Sequence, residues 1–490
     1  MPGQFSTPIV NALARYINDG TIRFHMPGHK GRPSGGNALM RLIGNTVFKA
    51  DVTNVPGMDD LHQTQSVIRE AQELAAQVYG ADYTYFLING SSCGLQALIM
   101  AVCNPGDKIL VPRNMHRSIL SGIILSGAVP VFFTPEYDGD YGILLGVSPE
   151  AIARTLDTHP DAKAVILVSP TYHGLISDVA AIARIVHARN IPLLIDEAHG
   201  AHLRFHEGLP PTALEMGADA AVQGSHKLLP AFTQASMLHI KGNLVDRQRL
   251  EAALRLLQST STSYLLLASL DAAREEMTAC GRDLIQEALA LADYIRHGVK
   301  EIEGLSAFGK EIIGRAGVFG FDPLKVTISV KGLSITGLAA ENRLREQYRI
   351  QVEMSDLLNV LLIVTCGNNQ QDAQALLKAL GDLSINAGAN GGACNRAMDI
   401  KVCPGVPELA LTPREAFFAP TATVPLDTAE GQISGEVIAC YPPGIPAVCP
   451  GERLTGEIIE YLKAMRGMGM HFQGCSDATL RTIRVVKAVR

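Results

Sequence analysis

The sequence predicts an α/β protein with a large domain built on a mainly parallel sheet, a smaller α+β domain and a C-terminal α+β domain. Three observations predict it. Between Tyr83 and Ile195, short apolar runs alternate with helical patterns. Continuous apolar strands separated by helices read as a parallel sheet covered on both faces. After about residue 310 a shorter mixture of strand and helix signals follows. The stretch Ala387-Gly388-Ala389-Asn390-Gly391-Gly392-Ala393 then has the composition of a linker. Beyond it lie roughly a hundred residues, an ordinary domain size. The domains are drawn accordingly at 1–310, 311–386 and 394–490.

Each element has its own warrant. Ser6-Thr7-Pro8 offers a hydroxyl cap and a first-turn proline to a helix with Ile9, Val10, Leu13 and Ile17 on one face. Phe24-His25-Met26-Pro27-Gly28-His29-Lys30-Gly31 is too rich in Gly, Pro and His to be core. A second glycine loop, Gly57–His62, precedes an amphipathic helix through Val67, Ala71, Leu74 and Val78 that stops at Gly80. Strand-like runs follow at Tyr83–Ile88, Lys108–Pro112, Val129–Phe133, Ala164–Val168 and Ile191–Ile195, with a brief one before Gln223. Helical patterns between them include Gly94–Val102, Pro149–Leu156 and Asp178–Arg189. Longer ones run from Val245 to Gln258 and from Leu265 towards Ile302. The smaller domain reads as strand Lys325–Val330, helix Thr336–Arg345, strands Ile350–Glu353 and Val360–Thr365, and helix Asp372–Leu383.

Composition narrows the function classes. With 490 residues, 47% hydrophobic and 18% charged, the chain can bury a large core. A net charge of -6 gives no basic surface for nucleic acid or anionic membrane. Nine cysteines without a CxxC pair read as reduced thiols. Met1-Pro2-Gly3-Gln4 lacks the basic-then-apolar pattern of a signal peptide, and no apolar stretch reaches spanning length. A cytoplasmic enzyme with a small-molecule substrate is expected.

The chemistry gathers around Gln223-Gly224-Ser225-His226-Lys227. A lysine just past a short strand, flanked by small and hydroxyl residues, can hold an aldehyde cofactor as a Schiff base. Asp196 ends another strand, where ligands of a parallel sheet sit, and can keep a pyridine nitrogen protonated. Asn89-Gly90-Ser91-Ser92 joins a strand to a helix, so hydroxyls and unpaired N–H groups there make a phosphate cradle. His116 follows a third strand end and can stack on a flat ring, and Ala198 is small enough for its opposite face. Singly, each has a plainer reading: a surface lysine, a capping aspartate, an ordinary N-cap, a surface histidine, a turn alanine.

Two other motifs compete. Asp196-Glu197-Ala198-His199 matches a helicase string, but the chain has no GxxxxGK[ST] loop, which argues against nucleotide hydrolysis. His199, His202 and His206 have helical spacing for a metal. With Glu197 and Glu207 as their only close acidic partners, no metal is expected.

Together the Phe24–Gly31, Asp196–His199, Ser225–Lys227 and Tyr441-Pro442-Pro443-Gly444-Ile445-Pro446 motifs resemble those of the Orn/Lys/Arg decarboxylase family. The run Ser259–Asp271 looks most like the short biosynthetic arginine decarboxylases. The resemblance implies a fold-type I, pyridoxal 5'-phosphate-dependent transferase-like major domain and decarboxylation of a basic amino acid. Arginine is the first expectation, with lysine or ornithine as alternatives. It makes Lys227 the Schiff-base lysine, Asp196 the ring-nitrogen partner and His116 the stacking ring. Ala198 would line the ring, Ser91, Ser92 and Ser225 the phosphate, and His226 would stand beside Lys227. Thr260 and Ser261 occupy the stretch with which a second subunit reaches the phosphate, so a homodimer or larger assembly with shared sites is implied. Gly224 departs from the family, which often has serine there; a phosphate hydroxyl is lost, or Ser225 replaces it.

A basic substrate needs an anion for its distal cation. Glu353 is the first choice, with Asp59, Asp60 and Asp356 behind it. An aminotransferase of the same fold would need an arginine for the α-carboxylate, and Arg345 or Arg414 has the right chemistry. A non-catalytic binding module is the rival from another class, and an intact Lys227 and Asp196 argue against it.

Overall fold

The structure, a computed structural model, describes residues 3–387, 405–441 and 444–487. The linker from Gly388 to Ala393 and the two prolines Pro442-Pro443 lie outside the described residues. The chain forms two compact units, Met1–Ala101 with Asp196–Leu284, and Val102–Ile195 with Ile285–Arg490.

In the first unit, strands Tyr83–Leu87, Ser236–Ile240 and Ala220–Gln223 lie side by side and antiparallel. The register pairs Tyr83 with Ile240 and Met237 with Gln223. Strand Ser236–Ile240 has no separate signal in the sequence. Helix Pro8–Asn18 has its proline in the first turn, and helix Val67–Tyr79 ends at Gly80 as the pattern requires. Their apolar faces share a core with Phe86, Met237, Tyr264, Leu267 and Leu270. Burying each large side chain there stabilises the unit by about 1.5–3 kcal/mol.

The N-terminal helix is fastened by a pair of buried charges. Asp271 accepts the Ile9 N–H at 2.9 Å, while Arg274 donates to the carbonyls of Gln4 at 2.6 Å and Ser6 at 2.5 Å. The two side chains are themselves 2.7 Å apart and fully buried. Each polar atom used this way satisfies a backbone group that would otherwise be buried unpaired.

In the second unit, strands lie in the order Leu193–Asp196, Ala164–Val168, Lys108–Pro112, Val129–Phe133, with Asp196 itself counted to the first unit. Lys108–Pro112 pairs in parallel with both its neighbours. All five residues of Ala164–Val168 are buried, which is why that run is apolar throughout rather than alternating. Helices Arg117–Ser126, Pro149–Thr158 and Val179–His187 belong to the same unit.

A four-stranded sheet in the order Ser306–Ala307, Lys325–Ser329, Asn359–Ile363, Met354–Ser355 is accompanied by helices Gly337–Tyr348 and Gln370–Ala387. The strand expected at Ile350–Glu353 begins later, at Met354. Ile350 N still bonds Leu344 O, and Arg349 is left-handed at φ 59, so these residues close the preceding helix instead. C-terminal strands Ile445–Val448, Ile438–Tyr441 and His471–Gln473 and helix Gly456–Gly467 enclose Leu426, Ile438, Leu454, Leu462 and Ile483.

Candidate active site

Asp196 ends its strand and Lys227 lies in a single helical turn, Ser225–Leu228, directly after strand Ala220–Gln223. The connection between them is tight. Glu197 N bonds Val222 O at 3.0 Å, and Gly224 N bonds Ala198 O at 3.2 Å. A Cβ at residue 224 would stand 2.9 Å from the Ala198 carbonyl oxygen and 3.2 Å from Lys227 Cδ. Glycine is therefore what this close approach accepts, which accounts for the departure from serine.

Lys227 Nζ is 3.0 Å from His199 Nε2. An ammonium only donates, so Nε2 is the acceptor and the ring proton of neutral His199 sits on Nδ1. The sequence offered His199 only as a metal ligand. Residues 199–206 contain just a short 3-10 turn, Leu203–Phe205, so the supposed helical face does not exist. His206 instead accepts Gly208 N at 2.9 Å. The partnership of His199 with Lys227 had no signal in spacing, because it depends on how the turn after Asp196 folds back.

Asp196 is buried and accepts one N–H, from Ala198 at 3.2 Å. Burial raises its carboxyl to about 6, although the Lys227 cation and the Ala198 N–H both pull it down. Its neighbour Glu197 is raised further, to about 7, again chiefly by burial. Glu197 faces Gln223 Nε2 at 2.8 Å and Ala213 N at 2.7 Å.

Gly90, with φ 75, turns the chain from strand Tyr83–Leu87 into helix Gly90–Val102, so Ser91 and Ser92 occupy its first turn. Gln234 Nε2 donates to Ile88 O beside this turn, and Ala235 O accepts both His226 N at 3.2 Å and His226 Nδ1 at 2.9 Å. The first unit thus holds Asp196, Ala198, His199, Ser225, His226 and Lys227 together and links them to the Ser91–Ser92 turn. Thr260 and Ser261 are exposed and follow Ser259, whose N–H bonds Asn89 Oδ1 of the same chain at 3.3 Å.

His116 belongs to the second unit, where it caps helix Arg117–Ser126. Its Nδ1 lies 2.7 Å from Ser118 Oγ and 3.3 Å from Ser118 N, so Nε2 carries the proton of the neutral ring.

The substrate-anion candidates separate. The Asp59 carboxylate accepts the backbone N–H groups of Asp60, Gln65, Ser66 and Ile68 at 2.8 to 3.1 Å and so caps helix Val67–Tyr79. Asp60 accepts His62 N at 2.9 Å and is half-buried. Glu353 is exposed and directly precedes edge strand Met354–Ser355. Asp356 is bound by Leu358 N, Asn359 N and Asn359 Nδ2, each within 2.9 Å. Of the arginines an aminotransferase would need, Arg414 is spent on the Ile124 and Leu125 carbonyls, and Arg345 bonds Asn342 at 2.7 Å.

The residues fit an aldehyde cofactor carrying a cationic ring and a phosphate. Ser225 Oγ is buried without a hydrogen-bond partner, and the buried Asp196 carboxylate has a single donor. Both are what a phosphate oxygen and a ring N–H would satisfy. Fold and site together define a fold-type I pyridoxal-phosphate enzyme.

Comparison with known proteins places the chain within that class. Residues 7–372 match the Orn/Lys/Arg decarboxylase major domain and residues 397–480 the C-terminal domain of the same family. The chain belongs to the Orn/Lys/Arg decarboxylase family and is an amino-acid decarboxylase. It is 43% identical to the arginine decarboxylase of Halalkalibacterium halodurans, covering 99% of both chains. It is 42% identical to that of Bacillus subtilis, covering 99% of this chain and 98% of the relative. Lysine decarboxylase A from Pseudomonas aeruginosa superposes with a TM-score of 0.84 at 25% identity, over 98% of this chain and 80% of the other.

Proposed function

We propose that the chain converts L-arginine to agmatine and carbon dioxide, a step that feeds polyamine synthesis. The observation that carries the reading is Lys227 held against His199 and beside buried Asp196, on a chain 42–43% identical end to end to arginine decarboxylases. Lysine and ornithine are the alternative substrates.

When bound, pyridoxal phosphate supplies an electron sink conjugated to the substrate α-amine. Lys227 would hold it. Asp196 would accept from the ring nitrogen and favour its protonated form. Ser91, Ser92 and Ser225 would hold the phosphate, and His116 and Ala198 are the candidates to line the ring. His226 has Nδ1–H fixed by the Ala235 carbonyl, and His226 or Lys227 is the candidate to carry a proton to Cα. Glu353 is the first choice to receive the distal cation, with Asp59, Asp60 and Asp356 behind it; a guanidinium presents two parallel donors to such a carboxylate, an ammonium one point charge.

The reading extends to a cytoplasmic homo-oligomer with shared sites, its domains bounded at 1–310, 311–386 and 394–490. Nine cysteines without a CxxC pair are in keeping with a reducing compartment. The test is carbon dioxide and amine release from arginine, lysine and ornithine by wild type and Lys227→Ala. Agmatine from arginine, abolished in the variant, supports the proposal; cadaverine or putrescine instead moves the substrate. Mixing Lys227→Ala with Thr260→Ala subunits restores activity if the sites are shared.

A further inference from the structure

The contact between Lys227 Nζ and His199 Nε2, at 3.0 Å, is not used by the chemistry derived so far. Both residues lie in the first unit, and His199 is 4% exposed. An exposed lysine keeps its proton to about pH 10, so at neutral pH almost none of it is nucleophilic. The neighbouring charges do not help: the Asp196 carboxylate stabilises the ammonium. Glu197, next in the chain, is turned towards Gln223 and Ala213 instead. His226, on the same helical turn, is fixed through Nδ1 to Ala235 O. Among these groups, His199 is the base with a lone pair on the amine.

We propose that His199 is a catalytic residue that takes the proton from the Lys227 ammonium. The inference rests on the reading of Lys227 as the cofactor lysine. The proton passes from Nζ to Nε2, leaving a neutral amine and an imidazolium. The amine lone pair then forms the C–N bond to an aldehyde carbon, and the carbonyl oxygen departs as water with the two remaining Nζ protons. The imidazolium keeps its proton for return to Nζ when that nitrogen is released. Because Asp196 carries one negative charge nearby, the transfer leaves the charge of the group unchanged and needs no further ion.

The test follows attachment of pyridoxal phosphate to cofactor-free protein by stopped-flow absorbance of the lysine-bound cofactor, from about pH 6 to pH 10. Wild type, His199→Phe, His199→Gln and Lys227→Ala are compared. In both His199 variants attachment at pH 7 is expected to slow roughly 10²-fold, the scale of a lost general base. The rate should recover towards wild type near pH 10, where Nζ loses its proton unaided. Circular dichroism of each variant checks the fold. Unchanged attachment at pH 7 in His199→Phe overturns the proposal. So does full rescue by His199→Gln, whose amide can hold the amine in place but cannot take its proton. Lysine-bound absorbance surviving in Lys227→Ala would instead sink the reading of the lysine on which the inference rests.

Discussion

Arg113 and Glu452, 339 positions apart in the chain, form a two-point ion pair inside the second unit. Nη1 lies 2.5 Å from one carboxylate oxygen and Nη2 3.3 Å from the other. Neither side chain is more than 6% exposed. Glu452 also accepts Cys449 N at 2.7 Å, and Arg113 donates to Ala447 O at 2.9 Å, so the C-terminal segment grips the loop that leads to His116. Removing one partner strands a buried charge. Glu452→Gln or Arg113→Ala should therefore cost about 3–5 kcal/mol, and the apolar double replacement Arg113→Met/Glu452→Leu clearly less. Urea denaturation of the three variants checks the order.

Glu197 makes stability depend on pH in a defined direction. Its carboxyl is raised from the ordinary 4.5 to about 7, so the folded chain holds a proton that the unfolded chain has released. The contribution is complete below about pH 4.5 and disappears as pH rises through about 7. Denaturation midpoints of wild type should fall between those limits. In Glu197→Gln that part of the slope should be missing, and a slope equal to wild type would contradict the assignment.

Gly224→Ser tests the close approach to Ala198. The new Cβ meets a backbone oxygen at 2.9 Å, so the turn carrying Lys227 must shift. Overpacking of this kind costs about 1–3 kcal/mol. Lower thermal stability and weaker pyridoxal-phosphate binding are expected together, although the variant adds a hydroxyl. Tighter binding would mean that the turn yields and the serine becomes a phosphate ligand.

Asp59→Ala should behave as a lost helix cap rather than a lost substrate contact. With four backbone N–H groups released, the expected cost is about 1–2 kcal/mol. The ratio of arginine to lysine turnover should not move, and steady-state kinetics on the two substrates would reveal it if it did.

The parts of this protein that follow from local pattern were legible in its sequence. Lys108–Pro112, Val129–Phe133 and Ala164–Val168 begin and end where their runs do; in Ala164–Val168 all five residues are buried, which leaves no room for polar side chains. Ser236–Ile240 escaped because His239 interrupts the apolar run. In the fold that imidazole is buried and hydrogen-bonded to Thr84 at 2.8 Å and Gln223 at 3.1 Å, a cross-strand arrangement that no single strand records. Helix Arg117–Ser126 escaped because six of its ten residues are buried, which blurs the amphipathic stripe. At the candidate site, the positions of Lys227 and Asp196 after their strands were legible. The partner of Lys227 was not, since 28 residues and a turn separate it from His199. The backbone bonds of Asp59 were equally hidden, because a carboxylate's charge does not show which neighbouring N–H groups it will meet.

The grip of Asp271 and Arg274 on residues 4–10 has a consequence for synthesis. The first helix leaves the ribosome early, but the groups that receive it are made about 260 residues later. At about 5–20 residues per second the wait is roughly 15–50 seconds. During that interval Ile9 and Leu13 can meet only part of their core, Ile68, Ala71 and Phe86, since Tyr264, Leu267 and Leu270 do not yet exist. The polar fastening of this helix, and with it the closing of its unit, waits until translation has passed residue 274.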